Sequence, residues 1–513
     1  MKNINPLSYV LIALLSLSSL AQAKELNTPS DYKKTVNSKI GTLQFDHDVP
    51  SLASSQKLFD ELDFQRATQS VFWVEAVYNT YLFEKAMDKA GVKNLGAMLY
   101  NEKIQAGQEV LTPNQSVVYL FDNIDLRKAG GPVVYEVPAG PINAGFYDEW
   151  NRAFYDFGMV GPNRAKGDKI LIIPPHYKGD IPSGYQIAQA KTFQVFSIVR
   201  VPLTKEMTAV KASKLLQQIK TYPLSDPSFK KQFVLMGDPV KGGKEYRINR
   251  QKGLKYWEQI HEIIQGIEIE ERDLLALSML REIGIEKGKP FNPDARMKKI
   301  LIEAETIGHA MLVNEAFTIR YKIPDNLKNP KLRHTYEDTE WLNLKIMSDF
   351  EEQREENYGS FTPRSILWYQ IVSVQQVWTP AEYPPGFGQT YAAIAKDGDG
   401  NWLYGENTYK LHVNADVPAK DFWSLAIYDV ETRSFIETDQ RGVEFNNRIS
   451  DLEYNKDGSV DLYLGPTKPK GVKSNNWIKT IDGKTWHAYF RWYGPTKTFW
   501  DGSWKLNDIV KIK

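Results

Sequence analysis

The 513-residue chain is too long for one ordinary hydrophobic core, so two or three domains are expected. Hydrophobic residues make up 42% and charged residues 25%, and 64 basic against 63 acidic side chains leave a net charge of +1, which excludes a general electrostatic pull toward nucleic acid or an anionic membrane. The chain has no cysteine, which excludes disulfides, thiol catalysis and cysteine metal sites.

In chain order, the first element is a secretory signal over residues 1–23. Lys2 gives the positive start, Leu7 to Leu20 the short apolar core, and Ala21-Gln22-Ala23 a small-residue cleavage site. The apolar core is shorter than the roughly 20 residues that span a bilayer, so an uncleaved anchor is disfavoured. The mature chain is expected to start at Lys24 and to be periplasmic or secreted, with no integral membrane segment. Residues 24–55 are polar and read as an irregular leader. A domain at 56–203 then begins with a helix over 56–90, where Leu58, Leu62, Ala67, Val71, Trp73, Val77 and Tyr81 form an imperfect apolar stripe.

From Asn114 the period shortens. Val117 to Phe121, Pro132 to Val137, Ile170 to Ile173 and Phe193 to Val201 read as strands, with Gly130-Gly131, Gly161-Pro162 and Pro174-Pro175 between them. Phe146 to Phe157 fits a short helix or a strand. Residues 204–389 read as a helical middle region and linker. Ala209 to Lys220 is one helix; Trp257, Ile260, Ile264 and Ile267 stripe a second; Met297, Leu301, Ala304 and Ile307 stripe a third, capped by Asn292-Pro293-Asp294. Residues 390–513 return to β. In Asp421 to Asp429, Phe422, Ser424, Ala426 and Tyr428 alternate with Trp423, Leu425 and Ile427, so both faces are expected to be covered. The fold class is therefore mainly β with a helical insert (α+β): two antiparallel β-sandwich or jelly-roll-like domains joined by a helical region.

The C-terminal runs F-W-S-L-A-I-Y-D (Phe422 to Asp429), D-G-S-V-D-L-Y-L-G-P (Asp457 to Pro466), N-N-W (Asn475 to Trp477), R-W-Y-G-P (Arg491 to Pro495) and D-G-S-W (Asp501 to Trp504) resemble one domain of unknown function, the 1214 type. Its N-terminal partner, the 1254 type, is resembled by T-P-N-Q-S-V-V-Y (Thr112 to Tyr119), Ile124 to Leu126, Gly131 to Pro138, Ile172 to Gly179 and Arg200. The resemblance implies two mostly β domains around a helical middle. It brings no established reaction, and no catalytic residue is carried over from it.

Several groupings offer chemistry. Glu258 and His261, with Glu305 and His309, hold the helical spacing of a carboxylate-bridged metal bundle, but a solvated helix face explains them better, and no metal or cofactor is expected. Lys396 to Asn401 resembles half a calcium loop but has Trp402 and Thr408 where a glycine and a bidentate glutamate belong, which favours a plain turn. His176 follows Pro174-Pro175 on a loop. Tyr119, Asp122 and Asp125 lie on one strand and its end, and Arg200 ends another. In Trp486 to Pro495, Trp486, Ala488, Phe490 and Trp492 should enter the core. His487, Tyr489, Arg491 and Tyr493 form the opposite, polar face. There Arg491 is expected to meet a carboxylate or a bound anion, with a tyrosine on its plane. The candidate ligand-binding residues are thus Tyr119, Asp122, Asp125, His176, Arg200, Tyr489, Arg491 and Tyr493. Two functions fit: an exported β-sandwich protein that binds a small polar or glycan ligand or assembles as a homo-oligomer, and an exported hydrolase pairing His176 with Asp122 or Asp125.

Overall fold

The computed structural model describes residues 33–318, 338–343, 365, 369, 386, 389–448 and 450–512. The expected signal peptide, the start of the expected leader and most of the stretch from 319 to 388 lie outside them. Strands β1 (Lys33–Ser38), β2 (Gly41–Asp46) and β3 (Val49–Pro50) form an antiparallel meander, so the leader expected to be irregular is strand from 33 onward. Of the side chains in these strands only Leu43 is buried, and without a buried face no alternation of apolar and polar residues marks them.

Ser51 caps α1 (Leu52–Ala90) by accepting from the Ser54 N–H, and Gly91 ends it in the left-handed region at φ 93°. From Ala67 to Met87 this helix is buried nearly all round. A helix covered on every side needs no single stripe, which accounts for the imperfect spacing.

The N-terminal β block contains β4 (Ala97–Leu99), β5 (Val117–Asp125), β6 (Val133–Val137), β7 (Asn143–Asp148), β8 (Ala153–Gly158), β9 (Asp168–Ile173), β10 (Gln186–Gln189) and β11 (Gln194–Pro202). After α2 (Ala209–Leu216) the chain returns to add β12 (Lys220–Pro223) and β13 (Phe233–Leu235). The sheet orders are β13-β4-β5-β11-β7-β8 and β10-β9-β6-β12. Strands 220–223 and 233–235 therefore belong to the β block although they follow residue 203. The ambiguous Phe146 to Phe157 run is the β7–β8 hairpin, turned at Asn151 with φ 61°.

Helices α3 (Leu254–Gly266), α4 (Leu274–Glu282) and α5 (Ala295–Phe317) form the helical insert and pack on α1. Asp294 caps α5 by accepting from Met297 N. The C-terminal block contains β14 (Leu342–Asn343), β15 (Gln389–Ile394), β16 (Tyr409–Val413), β17 (Ala419–Asp429), β18 (Glu444–Asn446), β19 (Val460–Gly465), β20 (Trp477–Lys479), β21 (Trp486–Pro495) and β22 (Ile509–Lys511). Its sheets run β14-β15-β21-β17-β18 and β20-β19-β16-β22. Each block is thus a two-sheet sandwich. The pairing is antiparallel except at three edges, β4–β13, β9–β10 and β19–β20, where it is parallel.

Aromatic side chains join the paired sheets. Tyr135 of β6 meets Phe146 of β7 edge-on at 5.0 Å, and Tyr409 of β16 meets Trp486 of β21 at 5.6 Å. Both faces of β17 are covered: Trp423, Leu425 and Ile427, and equally Phe422, Ser424, Ala426 and Tyr428, are buried. One hydrophobic core runs without a break through both blocks and the helices between them.

Candidate functional site

The polar face of β21 looks at the N-terminal block, not at solvent. Strand alternation puts His487, Tyr489 and Arg491 on that face, and all three are buried. The covering segment is the loop from Val110 to Ser116 that leads into β5. Arg491 Nη2 donates to the Thr112 carbonyl at 2.9 Å. Thr112 sits at φ 39°, a costly conformation for a β-branched residue, and its own N–H is fixed on the Arg433 carbonyl at 2.7 Å. Asn114 Nδ2 donates to the Tyr493 hydroxyl at 3.2 Å, and the Tyr428 hydroxyl donates to the Pro113 carbonyl at 2.5 Å.

The expected carboxylate partner of Arg491 is replaced by a backbone carbonyl. Its guanidinium lies 5.3 to 5.7 Å from the ring centres of Tyr391, Tyr489 and Tyr428. Glu444 is the buried carboxylate of this region, but it accepts from Gln115 N at 2.6 Å and Asn446 Nδ2 at 3.2 Å. Burial raises the pKa of Glu444, and the nearby Arg491 works against that rise. Arg491 is 2% exposed, and its Nη1 has no hydrogen-bond partner among the described residues.

Arg200 reaches the same place from the other block. On β11 it lies across from Tyr119 of β5 and Asn143 of β7, and its Nε is also buried without a partner. Arg448, in the loop after β18, lies 3.8 Å from the centre of the Phe422 ring and leaves Nε and one Nη unpartnered. Phe422 in turn stacks on Tyr493 at 3.9 Å and 12°. Three guanidinium groups therefore converge with unused donors on the seam between the sandwiches.

That seam holds a cavity of about 600 Å³, within the range of small-molecule sites. The N-terminal block contributes Val117, Pro141, Met159, Val160, Pro202 and Met207 to its wall, and the C-terminal block contributes Phe422 and Tyr493. Arg200 and Arg448 line it, as do Lys211, Lys420, Glu206 and Asp421. A smaller void of about 40 Å³ shares Asn114 and Arg200 with it and is also lined by Tyr119, Tyr391 and Arg491. Burial pushes the Tyr119 hydroxyl up to about 12 and Tyr493 well above its ordinary value, so both are neutral donors at physiological pH. Burial, then Arg433 and Arg491, push His487 down to about 3, so it is uncharged there.

The cavity and its inner void gather Tyr119, Arg200, Arg491 and Tyr493 from the expected residues; Tyr489 stands next to Arg491. The other three lie elsewhere. Asp122 is inside the N-terminal sandwich, where Tyr135 donates to it at 2.6 Å and Ser197 and Lys231 also donate. Asp125 accepts from Arg127 N at 2.9 Å and Lys128 N at 3.1 Å, closing a turn. His176 is exposed on the loop after β9 with φ 58°. No hydrogen bond or ion pair among the described residues joins His176 to either aspartate, so the geometry does not assemble the expected His–Asp pair. Nor do the helix carboxylates and histidines meet: His261 bonds to the Lys289 carbonyl at 2.7 Å, and Glu305 accepts from Gly253 N at 3.0 Å. Asp397 Oδ1 accepts from the N–H groups of Asp399 and Asn401, which makes its loop an Asx-type turn.

Asn114, Tyr391, Phe422 and Arg448 complete the site but were not singled out from the sequence as ligand contacts. Arg448 follows Asn446-Asn447 on a polar loop, and nothing in its neighbours indicates that it folds back over Phe422. Tyr391 has a readable signal, since it pairs directly with Arg491 across β15 and β21.

These features define a double β-sandwich with a cationic cleft at the seam. Residues 97–223 match the family described as Protein of unknown function (DUF1254), and residues 388–497 match Protein of unknown function (DUF1214). The two matches stand in the order of the paired resemblance, the 1254 type before the 1214 type. No curated protein matches it. Among solved structures it is similar to the VPA0106 protein from Vibrio parahaemolyticus, at 16% identity and a TM-score of 0.49, over 88% of this chain and 100% of that one. It is also similar to an uncharacterized protein from Burkholderia cenocepacia, at 10% identity and a TM-score of 0.36, over 90% of this chain and 97% of that one.

Proposed function

We propose that this is an exported binding protein for a small organic anion held in the cleft between its two sandwiches. The observation that carries the reading is the set of arginines, Arg200, Arg448 and Arg491, that line the cavity or its neighbouring void and have guanidinium nitrogens without partners among the described residues. A buried charge without a partner is costly, and a bound anion would supply a counter-charge and acceptors. A hydrolase built on His176 has no comparable support, because His176 does not line the cleft. A glycan stacked on exposed tryptophans is also less well supported, since Trp486 and Trp492 are fully buried.

Export rests on the sequence: Lys2, the Leu7 to Leu20 run and Ala21-Gln22-Ala23. N-terminal sequencing of protein from fractionated cells should give Lys24 as the first residue of the envelope or secreted form.

The binding reading is tested by a thermal-shift panel of carboxylates, phosphates and sulfates beside uncharged and cationic analogues. Anions should raise the melting temperature by mass action, and Arg200→Met and Arg491→Met should each remove the effect. A panel in which no anion acts, or in which both variants respond like the parent, overturns it.

A further inference from the structure

The two voids differ in size and chemistry, and together they give the ligand a direction. The inner void, about 40 Å³, has room for about three water-sized groups. Its lining includes Arg491, Arg200 and Tyr119, whose hydroxyl is neutral. A carboxylate with its α-carbon fits that volume and that donor set; a sugar or a second charged group does not. The outer chamber, about 600 Å³, is walled by Val117, Met159, Val160, Pro202, Met207 and Phe422. Such a wall gains from covering apolar surface, and Asn143, Thr204, Glu206, Lys211 and Asp421 also line the chamber.

From this we infer that the ligand is an amphipathic carboxylic acid, bound with its carboxylate in the smaller void on Arg491 and Arg200 and its apolar tail in the larger chamber. The inference rests on the anion-binding reading above and narrows it to one chemical class. It also assigns separate roles: Arg491 and Arg200 hold the head, Met159 and Met207 contact the tail, and Arg448, fixed over Phe422, stands between them.

Calorimetric titration of the full mature chain with octanoate, 1-octanol, acetate and inorganic phosphate tests it. Octanoate should bind at least tenfold more tightly than either octanol or acetate. Arg491→Met should reduce octanoate to the level of octanol. Met159→Asn, at an exposed position on the chamber wall, should weaken octanoate about tenfold, with circular dichroism as the folding check and Met207→Asn as an independent second variant. Octanol binding as tightly as octanoate overturns the assigned head, and acetate binding as tightly as octanoate overturns the assigned tail. If both tail variants bind octanoate like the parent, the direction is wrong. Phosphate binding without octanoate binding sinks the amphiphile while the anion site stands; binding of none of the four sinks both.

Discussion

Two buried arginine sites in this chain look alike and should behave in opposite ways. Glu75, fully buried on α1, is shared by Arg250 at 2.9 Å and Arg433 at 3.3 Å. Arg433 also donates to the Tyr369 carbonyl at 2.9 Å. This cluster ties α1 to the insert and to the C-terminal block. Removing its carboxylate leaves two guanidinium groups buried with no counter-charge, so Glu75→Gln should cost about 3–5 kcal/mol in chemical denaturation. Arg491 has no ion pair among the described residues, and Glu444 is the nearby carboxylate whose charged form it favours. Replacing Arg491 by methionine removes a buried charge and one bond to Thr112, so Arg491→Met should melt within a few degrees of the parent or above it when no ligand is present. A large loss of stability in that variant would make the residue a structural clamp. The alternation in Trp486 to Pro495 showed in advance that Arg491 and Tyr493 share a face. What covers that face was not legible, because the covering residues, Thr112 to Asn114, lie more than 370 positions away in sequence.

The elements carry a titration of their own. Glu84 on α1 and Glu149 in the β7–β8 turn are neighbouring carboxyls. Burial first, then Glu149, Asp88 and Asp125, push Glu84 up to about 8 against the pull of Lys128. Burial and Asp148 push Glu149 up to about 8, against the Glu268 N–H, Arg127 and Arg152. Both folded values lie above the unfolded value of 4.5. The folded state therefore holds protons that the unfolded chain has released, and stability should fall as pH rises from about 4.5 to about 8 and level off above that. Glu84→Gln should flatten this part of the curve and melt above the parent at pH 8; equal pH slopes for the two proteins would rule the pair out as its origin. Neither residue could be found from sequence, since Glu84 sits in an ordinary helical run. The elements themselves were largely legible: the long helix, the capped α5 and most strands follow from period and punctuation. Strands β1 to β3 escaped because they have no buried face, and β12 and β13 because they follow a helix and return to a sheet begun more than 80 residues earlier.

At the scale of the whole molecule, the two sandwiches are not independent. A shared core runs through Val118 and Phe121 on one side and Trp423 and Phe490 on the other. The loop before β5 works as a hub between them. Gln115 donates its N–H to Glu444 and its side-chain amide to the carbonyls of Ile104 and Arg441, while Pro113 accepts from Tyr428. Ion pairs between Arg247 and Glu437 and between Arg441 and Asp238 add to the same seam. Separating the blocks would expose apolar core and strand these buried polar groups at once. Neither block can unfold alone without that cost, so calorimetry should show one transition whose calorimetric and van't Hoff enthalpies agree. Gln115→Ala keeps the backbone bond to Glu444 but removes the two amide bonds to Ile104 and Arg441 and the acceptor for the Val443 N–H. It should lower the single transition, by about 1–3 kcal/mol for each buried partner left unsatisfied, and should not split it in two. The cleft lies in this seam with walls from both blocks, so a ligand that fills it stabilises the shared transition as a whole. Two resolved transitions, with only one of them moved by a ligand, would show that the blocks fold separately and that the cleft belongs to one of them.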